Sequence, residues 1–285
     1  MSSYKLYNYD PSQSAATAFA IMFAFTAAGH VFQLFWNRAW FFIPFLIGSI
    51  FEIIGYIARV ASAKQTPNWT TMPYVIQELF LLLAPSFFAA SIYMILGRII
   101  RLLHAESNSL IRTTWLTKIF VTGDVVSFLM QSGGGGILAT AKTESSLNLG
   151  NYIIVAGLIV QVISFTIFIT VSIVFHRRML STPLHHLVQS KVPWTRYMKV
   201  LYIGSALILV RSAYRVVEYI QGSSGYLQSK ECFVYIFDAT LMLLCCLLFN
   251  AFHPSKLLSK SSSVDEREDL EMMNQDGYKS FGGRT

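Results

Sequence analysis

The sequence predicts an all-α polytopic membrane protein, a seven-transmembrane-helix bundle with the N-terminus outside and the C-terminus cytoplasmic. Three observations predict it. Of 285 residues, 54% are hydrophobic and only 13% are charged, about half the charged share of an ordinary soluble domain. The apolar residues are gathered into seven long blocks. Lys and Arg are concentrated in alternate connecting segments. So few charges cannot coat a single water-facing globule, which excludes a soluble α/β enzyme, and so much apolar residue excludes a disordered chain. Three Cys are too few for a disulfide-built secreted module. The net charge of +7 is scattered between apolar blocks and forms no nucleic-acid patch.

The blocks run near 16–35, 39–60, 74–97, 115–139, 150–175, 199–220 and 233–252. Each approaches or exceeds the roughly 20 residues that cross about 30 Å of hydrocarbon as a helix. Helices are required because lipid offers no partner to a free backbone N–H. The first block has no basic leader beyond Lys5 and is too long for a signal-peptide core, so it reads as a retained span. The third contains Pro85, which is expected to kink it. Gly133 to Gly136 in the fourth are expected to disfavour a regular helix and to permit either close backbone approach or a break where a ligand or helix meets the chain. Cys245 and Cys246 in the seventh read as small packing residues, and Cys232 has no partner in an outside loop. His253-Pro254 stops the last helix.

Orientation follows from the connecting segments. Arg38, Arg98, Arg101, Arg112, Arg177, Arg178, Lys191, Arg196, Lys256 and Lys260 fall on one side, ten in all. Lys5, Arg59, Lys64, Lys142 and Lys230 make five on the other. The richer side is cytoplasmic by the positive-inside rule. Residues 1–15 are then an extracellular segment, 16–252 the transmembrane domain and 253–285 a disordered cytoplasmic tail. The one Asn-x-Ser/Thr sequon, at Asn68, falls outside and is a glycosylation candidate. Ser259 and Ser261 to Ser263 precede an acidic run in the tail, which reads as a phosphorylation segment with a cytoplasmic partner or as a plain solvated tail.

Ionisable groups inside a bilayer are costly and mark sites. Glu52, Glu78, Asp124, Arg211, Arg215, Glu218 and Asp238 all lie within blocks, with Gln131, Gln161 and His30 as further polar groups. Arg211, Arg215 and Glu218 are at i, i+4 and i+7, one face of the sixth helix. Asp124, Ser127 and Gln131 form the same pattern on the fourth. The topology places Glu52, Glu78, Arg211, Arg215, Glu218 and Asp238 in the outer half of the bundle, all of them substrate-binding candidates. Glu52, Arg211, Arg215, Glu218 and Asp238 are expected to line one cavity open toward the outer leaflet, with Asp124 and Gln131 beneath it. Two readings stay open. In one, the arginines and acids are ion pairs that fix helix packing. In the other, because four outer acids face two arginines, either some acids are protonated, or the cavity is wet and electronegative, or it receives a cationic group.

Several seven-span classes are excluded. The last block has no Lys for a retinal Schiff base. The third block ends Leu96-Gly97-Arg98, without the acidic-Arg-aromatic triplet of rhodopsin-like receptors. His30 stands alone at membrane depth and His185-His186 lie in a loop, so no zinc-hydrolase cluster forms. No Walker motif is present. Neither a cofactor, a metal nor an enzymatic activity is expected.

The chain resembles the RTA-like family of fungal seven-span proteins, the lipid-translocating exporters. The resemblance rests on Glu52-x-x-Gly55-Tyr56-x-x-Arg59, then Ala84-Pro85 with Ala89-Ala90, Tyr93 and Leu96-Gly97-Arg98. It continues with Asp124-x-x-Ser127-x-x-x-Gln131, Gly134-Gly135 and Gly157-Leu158-x-x-Gln161. It closes with Arg211-Ser212-x-Tyr214-Arg215-x-x-Glu218, Gly222, Gly225, Glu231, Tyr235-x-Phe237-Asp238 and His253-Pro254. The resemblance implies a fungal protein of the plasma membrane, or of an endomembrane. It implies sphingoid-base export, lipid asymmetry and resistance to toxic amphiphiles, or porphyrin and haem handling in some members. A lipid or cationic amphiphile is then the expected ligand, moved by a translocator or bound by a seven-span sensor or receptor.

Overall fold

The computed structural model describes residues 7, 9–103, 105–141, 143–181, 194–222 and 225–254. Lys5, Lys142, the loop with His185, His186 and Lys191, and the tail with Lys256, Ser259, Lys260 and Ser261 to Ser263 lie outside the described residues. The described residues are helical, without a strand. The long helices are α1 (Gln13–Trp36), α2 (Ile43–Ala63), α3 (Thr71–Leu102), α4 (Thr113–Thr140), α5 (Glu144–Leu180), α6 (Trp194–Gln221) and α7 (Glu231–Ala251). Six of them, α1 to α3 and α5 to α7, are long and apolar enough to cross a membrane. The chain is therefore a multi-pass membrane protein. The helix α4 has 28 residues, but Lys118, Asp124, Gln131 and five glycines dilute its apolar character.

Local chemistry sets the ends. Ser12 caps α1, its side-chain oxygen accepting from the Ala15 N–H at 3.3 Å. Thr143 caps α5 in the same way through the Ser146 N–H. Gly222 follows α6 with φ +70, the left-handed conformation that glycine adopts without strain. The helices overrun the apolar blocks. The helix α5 continues to Leu180, so His176 lies inside it, with Nδ1 3.1 Å from the Tyr202 hydroxyl. His30 is thus joined by a second histidine within a long helix, one that lies beyond the apolar block 150–175.

The N-terminal segment, the α2–α3 turn, the α4–α5 turn and the α6–α7 connection meet at one end. The Tyr7 ring packs edge-on against Trp69 at 5.4 Å and Tyr74 at 5.1 Å. The Ser12 N–H donates to the Glu231 carboxylate at 2.9 and 3.0 Å. The Tyr7 hydroxyl donates to Gln77 Oε1 at 2.8 Å. Burial pushes the Tyr7 phenol up, so it stays a donor. A buried aromatic core, including Phe23, Phe45, Tyr56, Phe88, Tyr93, Phe168 and Phe249, fills the bundle. Apolar side chains also cover the outside, with Phe25 and Trp36 each 76% exposed, as expected of a surface that faces lipid.

One expectation of helix disruption, at the glycine run, is corrected. Gly133 to Gly136 remain helical within α4. Close packing explains one of them: a Cβ on Gly134 would stand 2.6 Å from the Gly150 carbonyl oxygen of α5, so glycine lets two backbones touch, as small residues do between membrane helices. The helix α3 runs unbroken past Pro85. Proline lacks the N–H that would bond the carbonyl four residues back, and the Leu81 carbonyl so released accepts from the Arg211 guanidinium.

Gly134→Val should separate α4 from α5 and destabilise the protein by about 1–3 kcal/mol, the usual range for overpacking. Gly136→Ala, which meets open space, should leave stability unchanged or raise it by up to about 1 kcal/mol. Thermal unfolding of the detergent-solubilised variants, followed by tryptophan fluorescence, checks both.

Candidate functional site

Four helices bring six of the sequence-predicted residues together. Arg211 of α6 donates through Nε to Asp238 Oδ1 at 2.8 Å, and both side chains are at most 1% exposed. Arg215, one turn further, donates to Glu218 Oε2 at 2.7 Å and to Glu78 Oε2 of α3 at 3.0 Å. Its Nε lies 3.5 Å from Asp238 Oδ2. The Tyr214 and Tyr219 hydroxyls donate to Glu218 and Glu78, each at 3.3 Å. The spacing of Arg211, Arg215 and Glu218 does make one helix face, and that face meets α3 and α7.

Asp238 sits in a π-helical turn, Tyr235–Ala239. Such turns insert one extra residue and are frequent at functional sites. The widened turn is held by the Thr240 hydroxyl, which donates to the Tyr235 carbonyl at 2.7 Å. Glu52 of α2 is fully buried. Neither of its oxygens has a hydrogen-bond partner among the described residues. The charged groups that act on it are Asp238, Arg211 and Arg215. It therefore joins the cluster electrostatically without being pinned in it.

The other two predicted residues lie apart from the ion pairs. Gln131 Nε2 donates to Ser127 Oγ at 2.7 Å and to Gln161 Oε1 at 3.2 Å. Gln161 Nε2 donates in turn to Ser86 Oγ at 3.1 Å. Asp124 is buried and faces the Tyr93 hydroxyl. Asn68 is exposed in the α2–α3 turn, and the Thr70 hydroxyl of its sequon donates to Gln65 Oε1 at 2.8 Å.

A cavity of about 730 Å³ opens at the same end of the bundle, within the usual range of small-molecule sites. Helices α3 to α6 and their connections line it, through Trp69, Tyr74, Glu78, Leu82, Gln131, Gly135, Glu144, Asn148, Ile154 and Tyr219 among others. Of the eight predicted site residues, Glu78 and Gln131 reach it. Glu52, Arg211, Arg215, Glu218 and Asp238 stand behind Glu78, and Asp124 lies deeper along α4, so one shared lining is not what the fold provides. Glu78 belongs to both cavity and network and keeps about 20% exposure. The charged groups among the described lining residues are Glu78 and Glu144, both acidic.

One cluster escaped sequence reasoning. Arg59 was counted as a loop charge, yet it is buried near the end of α2. It donates to Glu231 Oε1 at 2.8 Å, to the Tyr9 hydroxyl at 2.9 Å and to the Tyr235 hydroxyl at 3.1 Å. The available signal was spacing: Glu52, Tyr56 and Arg59 recur at helical period on one face of α2.

Removing one partner of a buried pair strands the other. Arg211→Ala should therefore destabilise the protein by about 3–5 kcal/mol, the range for broken buried pairs in soluble proteins. The double change Arg211→Leu with Asp238→Leu should cost less than Arg211→Ala alone. Thermal denaturation of the three proteins in one detergent checks the order.

A family model described as RTA1 like protein matches residues 45–261. Protein RTM1 of Saccharomyces cerevisiae is 34% identical over 288 residues, covering 87% of this chain and 91% of its own. Protoporphyrin uptake protein 1 of S. cerevisiae is 44% identical over 209 residues, covering 73% of this chain and 67% of its own. A sphingoid long-chain base transporter of S. cerevisiae, RSB1, is 27% identical over 257 residues, covering 79% and 67%. No solved structure matches. The family match covers most of the chain, including every residue of the ion-pair network, and the chain belongs to the RTA1-like protein family.

Proposed function

We propose that this protein translocates cationic amphiphiles, of the sphingoid long-chain base type, and so contributes to lipid asymmetry and to resistance against toxic compounds. The observation that carries the reading is the cavity, whose charged groups among the described residues are both carboxylates. Glu78 meets the ammonium head group there, and Gln131 lines the floor. Glu52, Arg211, Arg215, Glu218 and Asp238 set the electrostatic field behind Glu78. The apolar walls, Leu82 and Ile154 among them, accept the alkyl chain. The protein is not an enzyme in this reading. A relative's name as a sphingoid base transporter supports it.

The same reading takes α4 as the seventh span. Its two ends join the α3–α4 loop at one end of the bundle to the α4–α5 turn at the cavity end, as a crossing helix must. The N-terminal segment is then extracellular, residues 16–252 form the membrane domain, and the tail is cytoplasmic, in line with the basic bias, which is ten to four once the buried Arg59 is left out. The plasma membrane is the proposed location, with Asn68 open to glycosylation on its outer side. An epitope tag at the C-terminus should survive protease added to intact cells. Its digestion from outside would reverse the topology.

A second reading comes from the 44% identity to a protoporphyrin uptake protein. A porphyrin bears carboxylates, which an acidic cavity repels, and this separates the two. A labelled sphingoid base should cross the bilayer of liposomes carrying the purified protein and should not be displaced by protoporphyrin. Glu78→Gln keeps the shape of the side chain and removes its charge. It should weaken base binding about tenfold, equivalent to about 1.4 kcal/mol, and leave an N-acylated, uncharged analogue unaffected. Binding without movement would make the protein a lipid sensor. Equal binding by wild type and Glu78→Gln would sink electrostatic selection.

A further inference from the structure

Asp124 has a setting unlike that of the other acids. It is 4% exposed in the middle of α4. No hydrogen bond of normal geometry reaches either carboxylate oxygen among the described residues. From α3 the Tyr93 hydroxyl faces it, and the Tyr93 ring is itself enclosed by Phe120, Phe165 and Phe168 at centroid distances of 5.4, 6.0 and 4.5 Å. From α5 the residue presented beside it is Ser164, against Gly123. Tyr93 is the titratable group that acts on Asp124, and no Lys, Arg or His among the described residues does so.

A bare carboxylate in such surroundings is strongly unfavourable. It must be joined by a cation or carry a proton. A metal ion needs about six oxygen ligands, and the carboxylate with one phenol hydroxyl falls far short. The proton is what remains.

This group shares its helix face with two polar residues, the nearer of which, Ser127, donates its hydroxyl to the Gly157 carbonyl at 2.7 Å. Asp124, Ser127 and Gln131 form one stripe along α4, and the Gln131 amide donates to Ser127 Oγ at 2.7 Å. Gln131 lines the cavity. The stripe spans seven residues, about 10 Å of helix. We propose that Asp124 is a proton-binding site linked to the cavity through Ser127 and Gln131, and that its proton departs when a cation occupies the cavity. The step balances: the Asp124 O–H bond breaks, the proton passes to water in the cavity, and the carboxylate left behind offsets the charge of the arriving ammonium. The second half rests on the function proposed above, and the proton site itself does not. Such an exchange would let a proton gradient drive movement of the amphiphile.

Infrared difference spectroscopy of the full chain in liposomes reads the site directly. A buried carboxylic acid gives its own C=O stretch, which moves on exchange into heavy water. Wild type at neutral pH should show this band, and Asp124→Asn, the isosteric uncharged variant, should lose it. Tyr93→Phe, which removes the facing hydroxyl, should shift its frequency and guards against misfolding of the first variant. A full-strength, unshifted band in both variants overturns the proton site. Dodecylamine should then diminish the Asp124 band in wild type, and Glu78→Gln should keep the band while losing the response. Dodecylamine that quenches tryptophan fluorescence, and therefore binds, yet leaves the band intact overturns the coupling. Dodecylamine that fails to bind wild type counts against the proposed function instead, and the band without amine still decides the proton site.

Discussion

Two arginines in the apolar interior dictate much of the rest of this structure. A guanidinium without counter-charge is intolerable at that depth, and Arg211 and Arg215 stand one turn apart on α6 with at most 2% exposure. Their donors must be met from other helices. Asp238 of α7 and Glu78 of α3 answer with carboxylates, and Glu218 adds one from α6 itself. The Leu81 carbonyl of α3 supplies an acceptor that an ordinary helix would not offer, because Pro85 leaves it unbonded. A second pair, Arg59 with Glu231, ties α2 to the start of α7 and, through Ser12, to the N-terminal segment. The helices α2, α3, α6 and α7 are thus registered against one another by ion pairs, while α4 and α5 meet through close glycine packing.

Much of this was legible beforehand. The apolar blocks gave each long helix its place, and the i, i+4, i+7 spacing put Arg211, Arg215 and Glu218 on one face. The grouping of Glu52, Glu78 and Asp238 with them followed from depth alone. What sequence could not supply was which acid meets which arginine, because that depends on helix rotation and tilt. The helical continuity of the glycine run was missed for a related reason. Gly and Pro intrinsically disturb a helix, but tertiary contacts override propensity: Gly134 gains close approach to α5, as one of the two readings of the run allowed, and the carbonyl that Pro85 frees is met by Arg211. Arg59 was lost because a charge near the end of an apolar block looks like loop, although its spacing from Glu52 placed it on the inward face.

The cavity was the least legible feature. It forms where four helices and three connections converge, and no single segment carries its signature. Its polarity could be anticipated only in part. Glu78 and Gln131 stood out as costly residues, whereas Glu144 begins α5 just outside its apolar block and Trp69 is the middle residue of the sequon, where such residues are unremarkable. Charges behind a cavity wall, such as Arg211 and Asp238, shape its potential without touching its contents. Depth in the bilayer identified these groups but could not tell wall from foundation.

Charge balance connects the foundation to the wall. Glu52, Glu78, Glu218 and Asp238 outnumber Arg211 and Arg215 by two, and adding Arg59 with Glu231 leaves that difference unchanged, since they pair with each other. An interior of Phe, Leu and Ile does not hold two uncompensated negative charges. Protons or an outside cation must complete the set. Glu52, sealed and without a hydrogen-bond partner among the described residues, is out of reach of a cation from the cavity. Glu78 is within reach, since it lines that cavity while one of its oxygens holds Arg215. A cation arriving at Glu78 competes with Arg215 for that oxygen, and Arg215 retains Glu218 and Asp238 as alternative partners. In the proposed function, occupancy of the cavity would thereby reach the π turn of α7 through one guanidinium.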